Sequence, residues 1–168
     1  MNLDPADGGF DEPRRRRSAE RVAELAVAGG RSVAVAESLT GGMIASALAQ
    51  ANEASQWFCG SLVAYSSAVK HEVLDVPPGP VVSAEAAAVM ARRVRAMLLA
   101  DVAVAVTGAG GPSAQDGHEP GTVFLAVDGI ANPQVVRLDL PGEPEAICAA
   151  TTMAALDALV DALTQPPN

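Results

Sequence analysis

Val33-Ala34-Val35-Ala36-Glu37-Ser38-Leu39-Thr40-Gly41-Gly42 is the stretch that decides the fold. Four small apolar residues in a row suit a short strand covered on both faces. Gly41-Gly42 interrupts the run, and Met43, Ile44, Ala47, Leu48 and Ala51 then recur at helical spacing. A buried strand turning directly into a helix is the repeating unit of an α/β sheet. Working upstream, Val22, Leu25 and Ala26 share one helical face in a segment that begins near Ser18 and stops at Gly29-Gly30. Downstream, Trp57–Ser66 reads as a strand. Ser67–Leu74 reads as a short helix ended by Pro77-Pro78, and Ser83 as the N-cap of a long helix through Met90, Val94, Met97 and Leu98. Asp101–Val106 and Gly121–Val127 are further buried strands. The loop between them is too short and too rich in Gly and Pro for a crossover helix, so the two are expected to pair antiparallel. Val136, Leu138 and Leu140 alternate with Arg137 and Asp139, as in a strand with one wetter face. The last helix opens on Glu143 and Glu145 and carries Leu156, Leu159, Val160 and Leu163. The expected fold is a three-layer α/β/α sandwich with a mixed, mostly parallel sheet of about five strands.

Bulk properties narrow the class. The 168 residues are 49% hydrophobic but only 3% aromatic, so a core of small aliphatic side chains is expected. Met1–Pro13 has no periodicity and Arg14–Arg17 is a run of four arginines. Residues 1–17 therefore read as a disordered leader with a basic run, and 18–168 as a single domain. The net charge of −9 opposes nucleic-acid binding. No uninterrupted apolar run suggests a membrane span, and the N-terminus does not resemble a signal peptide, which makes the cytoplasm the expected location. Cys59 and Cys148 read as buried free thiols, and no His/Cys/Asp cluster has metal-ligand spacing, so neither metal nor cofactor is expected.

Candidate chemistry gathers at Ser38. Ligands of open α/β sheets collect at the carboxyl ends of strands, where helix N-termini present unpaired N–H groups. Taken alone, Ser38 or Thr40 fits a helix cap as well as a nucleophile. A nucleophile needs a base, and neither His71 nor His118 lies in a motif that names a role. Of eleven basic residues ten are arginine, leaving Lys70 as the sole lysine. Arginine does not release its proton in proteins, whereas a buried lysine can. Serine–lysine pairs are an alternative to Ser-His-Asp. A second Gly-rich loop, Thr107-Gly108-Ala109-Gly110-Gly111-Pro112, matches neither the dinucleotide fingerprint nor the P-loop.

Taken together, Ala36-Glu37-Ser38-Leu39-Thr40-Gly41-Gly42, Tyr65-Ser66 with Lys70, Ala105-Val106-Thr107-Gly108, Gly111-Pro112 and Gly121-Thr122-Val123 resemble the C-terminal domain of the competence/damage-inducible protein CinA. The resemblance runs from about Ala19 to Leu163. Its stand-alone members are nicotinamide-nucleotide amidases, three-layer α/β/α domains that are often oligomeric. It implies deamidation of nicotinamide mononucleotide to nicotinate mononucleotide and ammonia, with Ser38 as nucleophile, Lys70 as its base and Tyr65 assisting. It also implies a substrate pocket formed by Glu37, Thr40, Gly41, Gly42, Thr107 and Gly108, with N–H groups of Thr40–Gly42 holding the oxyanion, and a homo-oligomer acting on a small-molecule nucleotide amide. The chain departs from the family pattern at Leu39, where cysteine is usual. It departs again at Gly142-Glu143-Pro144, where Gly-Asp-Arg is usual; a second arginine shortly after is also missing, near Ile147-Cys148. The alternative reading is a non-catalytic module that binds a nucleotide or a protein, or an amidase with another substrate.

Overall fold

In the computed structural model, which describes residues 11–165, the elements run α1 (Glu12–Gly29), β1 (Val33–Glu37), α2 (Met43–Ala49), α3 (Ala54–Trp57), β2 (Phe58–Val63), α4 (Ser67–Glu72), α5 (Ala84–Met97), β3 (Val102–Gly108), β4 (Thr122–Asp128), β5 (Gln134–Asp139) and α6 (Pro144–Thr164). The strands form one sheet in the order β2-β1-β3-β4-β5. β1 pairs parallel with β2 and β3, β3 pairs antiparallel with β4, and β4 antiparallel with β5. Four of the five strands therefore point the same way, and the sheet is mixed as expected, with β3 and β4 antiparallel across the Gly-rich loop.

The apolar runs of the central strands are sorted by face. In β1 and β3 the valines (Val33, Val35, Val102, Val104, Val106) join α1, α2 and α6 in one core. The alternating alanines (Ala34, Ala36, Ala103, Ala105) face α5, which answers with Ala86, Ala87, Met90, Ala91 and Val94. Small side chains on both sides bring α5 close to the sheet without aromatic bulk. The three layers follow: α1, α2 and α6, then the sheet, then α5. By length and hydropathy α6 could span a bilayer, with 21 residues and a mean hydropathy of 1.6, but half of that stretch is buried inside the fold. Ile147, Leu156, Leu159 and Leu163 put it in the core.

The structure revises three expectations. Arg14–Arg17 belong to the first two turns of α1: Asp11 caps the helix by accepting the Arg14 N–H at 3.0 Å, Pro13 suits its first turn, and arginine is a good helix former. Met1–Phe10, the rest of the expected leader, lie outside the described residues. Cys59 is exposed because β2 is a sheet edge. At the opposite edge, β5 leaves both Val135 and Val136 open to solvent, a wetter strand than the alternation suggested.

Asp101 latches the amino ends of β1 and β3: one of its carboxylate oxygens accepts from the Ser32 N–H and hydroxyl, each at 2.8 Å. These bonds hold the carboxyl below its ordinary 3.8. A depressed carboxylate contributes stability that is complete above the unfolded value and is lost as pH falls through the folded one. The urea midpoint is therefore expected to decline as pH drops below about 4, and to decline less in Asp101→Asn.

Candidate active site

β1 ends on Glu37, and that side chain organises the turn. It is fully buried. One carboxylate oxygen accepts the Thr40 hydroxyl at 2.7 Å and the Gly42 and Ile44 N–H groups at 3.1 Å. The other accepts the Ala45 N–H at 2.8 Å and the Ser61 hydroxyl at 3.3 Å. The N-cap of α2 is Gly42, at φ 105° and with no side chain to cap anything. A carboxylate from the preceding strand satisfies the helix's first donors instead and sits favourably at the positive end of its dipole. Glu37, expected to touch substrate, is buried with both carboxylate oxygens committed to the turn, and it occupies the Thr40 hydroxyl and the Gly42 N–H as well. Gly41 N–H donates back to Ser38 O at 3.1 Å. Of the donors expected to hold an oxyanion, the Thr40 N–H alone is left, joined by the Leu39 N–H; neither has a backbone partner among the described residues.

Ser38 itself is 6% exposed, and its hydroxyl has no hydrogen bond among the described residues. It is therefore not the cap of α2, a role Glu37 fills. Lys70 lies on α4, whose N-cap Ser66 accepts the Val69 N–H at 3.3 Å. Its side chain is 1% exposed and its amine donates to the Tyr65 carbonyl at 3.3 Å. Burial pushes the Lys70 amine below its ordinary 10.5, partly offset by the attraction of Asp116.

The β1–β2 pairing brings these groups to one end of the sheet. Glu37 is in register with Val63, and Ala64 N–H donates to Glu37 O at 2.7 Å. Beyond that pair the chain of β1 continues to Ser38, and that of β2 to Tyr65, whose carbonyl accepts from the lysine amine. No Ser38–Lys70 hydrogen bond is formed among the described residues. Tyr65 contributes its carbonyl, while its phenol ring is 72% exposed. Two further residues expected to line the substrate pocket have structural partners of their own. The buried Thr107 hydroxyl donates to Val81 O at 2.7 Å. At Gly108 an added Cβ would lie 2.7 Å from Thr122 O, so glycine there serves close strand packing.

Sequence reasoning missed Asp116. Its carboxylate accepts the Val81 and Val82 N–H groups at 2.7 and 2.9 Å and is the acidic group that attracts Lys70. The signal was present in Asp116-Gly117, a dipeptide that favours a tight two-residue turn. Both residues have positive φ (52° and 78°), and Gln115 and His118 exchange backbone hydrogen bonds around them. Cys148 reaches the nucleophile turn, its thiol donating to Leu39 O at 3.2 Å, and burial pushes that thiol upward. At the same end of the sheet a groove of about 490 Å³ lies beside β4 and β5, lined in part by His118, Glu119, Arg137 and Asp139. No set of three His, Cys, Asp or Glu side chains among the described residues could hold a metal ion.

Fold and site together define an open-sheet α/β/α protein whose polar residues converge at the carboxyl ends of the central strands, as ligand sites of this class do. The profile of the CinA C-terminal domain matches residues 15–163, and the chain belongs to that family. It is 38% identical over 142 residues to a CinA-like protein of Geobacter sulfurreducens, covering 81% of this chain and 34% of that protein. The chain thus spans about a third of the length of the curated relatives it matches. Among solved structures, the CinA superfamily protein of Klebsiella pneumoniae superposes with a TM-score of 0.83 at 29% identity, covering 89% of this chain and 97% of that one. The competence/damage inducible protein CihA of Agrobacterium tumefaciens gives 0.83 at 29% identity, covering 98% and 100%.

Proposed function

We propose that this chain is an amidohydrolase that deamidates nicotinamide mononucleotide to nicotinate mononucleotide and ammonia, with Ser38 as nucleophile and Lys70 as general base. The observation that carries the reading is that the only lysine is 1% exposed, in a setting that lowers its proton affinity, at the strand end where an unbonded serine hydroxyl stands. A surface lysine retained by chance has no reason to be there.

The chemistry follows from these groups. The neutral Lys70 amine takes the Ser38 proton as Oγ attacks the carboxamide carbon. The tetrahedral oxyanion is held by the Leu39 and Thr40 N–H groups, each such donor contributing about 3 kcal/mol. The C–N bond breaks, Lys70 returns the proton to the leaving nitrogen, and ammonia departs. Lys70 then deprotonates a water that attacks the ester, releasing the carboxylate and restoring Ser38. Because the reactive lysine is the neutral one, the rate rises with pH as Lys70 loses its proton. Under the same reading the protein acts as a homo-oligomer in the cytoplasm.

The test is ammonia release from nicotinamide mononucleotide, with free nicotinamide and nicotinamide riboside alongside. Release from the mononucleotide at a turnover of order 1 s⁻¹ or more is the expected result. Release confined to another amide changes the substrate but not the reaction. No release from any of the three favours the second reading, a module that binds a nucleotide or protein without turnover. The absence of a Ser38–Lys70 hydrogen bond and the sequence Gly142-Glu143-Pro144 support that alternative.

A further inference from the structure

We propose that Cys148 is a positioning residue for the oxyanion site: its thiol, bound to the Leu39 carbonyl, aims and polarises the Thr40 N–H. The catalytic consequence rests on the serine-nucleophile reading; the hydrogen bond and its effect on the peptide do not.

Leu39 O and Thr40 N–H are the two ends of one peptide unit. That peptide is trans, since the one cis bond among the described residues is Gly111–Pro112, so its carbonyl and its N–H point in opposite directions. The Cys148 thiol donates to the carbonyl at 3.2 Å, and no other donor reaches that oxygen among the described residues. Cys148 belongs to α6, in the layer whose core receives the Leu39 side chain. The Thr40 N–H is thereby turned away from α6. On the opposite side of the sheet lies the lysine helix, since Val69, beside Lys70, packs against the α5 core.

The remainder of the turn is already committed. Gly41 N–H donates to Ser38 O and Met43 N–H to Thr40 O, each at 3.1 Å, and Glu37 holds the Thr40 hydroxyl. The Leu39 side chain is buried, and a Cβ at Gly110 would lie 3.3 Å from the Leu39 Cβ, so the Gly-rich loop closes over it. Two groups are left over. The Thr40 N–H has no backbone partner, and the Ser38 hydroxyl has no hydrogen bond among the described residues although Ser38 is 6% exposed. A free nucleophile and a free donor on adjoining stretches of one turn are what an attacked carbonyl requires.

Polarisation adds to aim. A donor on the carbonyl oxygen draws charge through the amide and strengthens its N–H as a donor, by about 10–30% per bond. Burial pushes the Cys148 thiol above its ordinary 9.0, which keeps it a donor rather than a thiolate at neutral pH.

Three substitutions separate the donor from its bulk. Cys148→Ser keeps a donor and loses volume, Cys148→Val keeps volume and loses the donor, and Cys148→Ala loses both. An oxyanion donor is worth about 10² to 10³ in rate, so Cys148→Val and Cys148→Ala are each expected to lower kcat for nicotinamide mononucleotide about twofold to fivefold, with KM unchanged. Cys148→Ser is expected to recover most of that loss. The Thr40 backbone 15N resonance, read without substrate, is expected to move in Cys148→Val and Cys148→Ala and to stay near its wild-type position in Cys148→Ser. The reverse pattern, with Cys148→Val like wild type and Cys148→Ser like Cys148→Ala, overturns the proposal, because packing alone then explains the contact. An unmoved Thr40 resonance in Cys148→Ala overturns it as well. If Cys148→Val does not fold, Cys148→Ser and Cys148→Ala, close in volume, carry the same comparison. Thr40 resonances that follow the expected pattern in a protein that releases no ammonia keep the polarised peptide and remove the amidase reading.

Discussion

Lys70→Met is expected to lower ammonia release from nicotinamide mononucleotide by at least about a thousandfold, while the protein melts no lower than wild type. The rate loss has two sources, since Lys70 both accepts the serine proton and delivers it to the leaving nitrogen. A positioned acid–base contributes about 10² to 10⁴, and here both halves of the reaction depend on it. The unchanged or raised melting temperature follows from linkage. The folded Lys70 value lies below its ordinary 10.5, so at neutral pH the unfolded chain binds the proton more tightly than the folded one. The lysine thus opposes folding below its unfolded value, increasingly as pH falls towards the folded one, and methionine, of similar length and no charge, removes that opposition. Calorimetry and an ammonia assay on the same preparation separate the two effects. A Lys70→Met protein with full activity would remove the mechanism. One that is inactive and also unfolded would contradict the burial argument. Ser38→Ala is expected to match the rate loss without adding to it in the double variant, because nucleophile and base act as one unit.

How much of this was legible beforehand depended on whether the signal was local. β1 and β3 could be read from Val33–Ala36 and Asp101–Val106 because a doubly covered strand needs an unbroken apolar run. The antiparallel pairing of β3 with β4 followed from a loop that could not house a helix. The start of α1 was misread because Arg14–Arg17 looks like a solvated tail by charge alone; the Asp11 cap and Pro13 that begin the helix are weaker signals than four arginines. At the site, Ser38 and Lys70 stood out by position and by rarity. The partners of Glu37, Thr40 and Thr107 could not be foreseen, since each depends on where a backbone N–H or carbonyl falls after folding. Asp116 was hidden for the same reason: it lies more than thirty positions from Val81 and Val82, and only the return of the Gly-rich loop brings its carboxylate to their N–H groups.

Glu37→Ala is expected to destabilise the fold by roughly 3 to 5 kcal/mol, the cost typical of deleting one partner from a buried charged network. Five donors lose their acceptor at once: the Thr40 and Ser61 hydroxyls and the N–H groups of Gly42, Ile44 and Ala45. Ile44 is fully buried, so its N–H has the least recourse to water. Thr40 and Ser61 can rotate, and the N–H groups of Gly42 and Ala45 are less deeply placed, which keeps the total well below the sum of five full penalties. Glu37→Gln discriminates between charge and geometry. Its carbonyl oxygen can keep the three bonds now made to Oε2, while its NH₂ faces the Ala45 N–H and loses that bond. A cost of about 2 kcal/mol is expected, read as a shift of the urea midpoint at constant slope. The consequence for chemistry is larger than the stability loss. The carboxylate ties the last residue of β1 to the first turn of α2, and Ser38 with the Leu39 and Thr40 N–H groups hangs between those two anchors. A displacement of about 1 Å in a nucleophile costs on the order of a hundredfold in rate. Glu37→Gln is therefore expected to fold, to bind substrate with near-normal KM, and to lose kcat in proportion to how far Ser38 drifts. If its kcat equals wild type, the serine is held by something other than this carboxylate, and the turn has a second anchor.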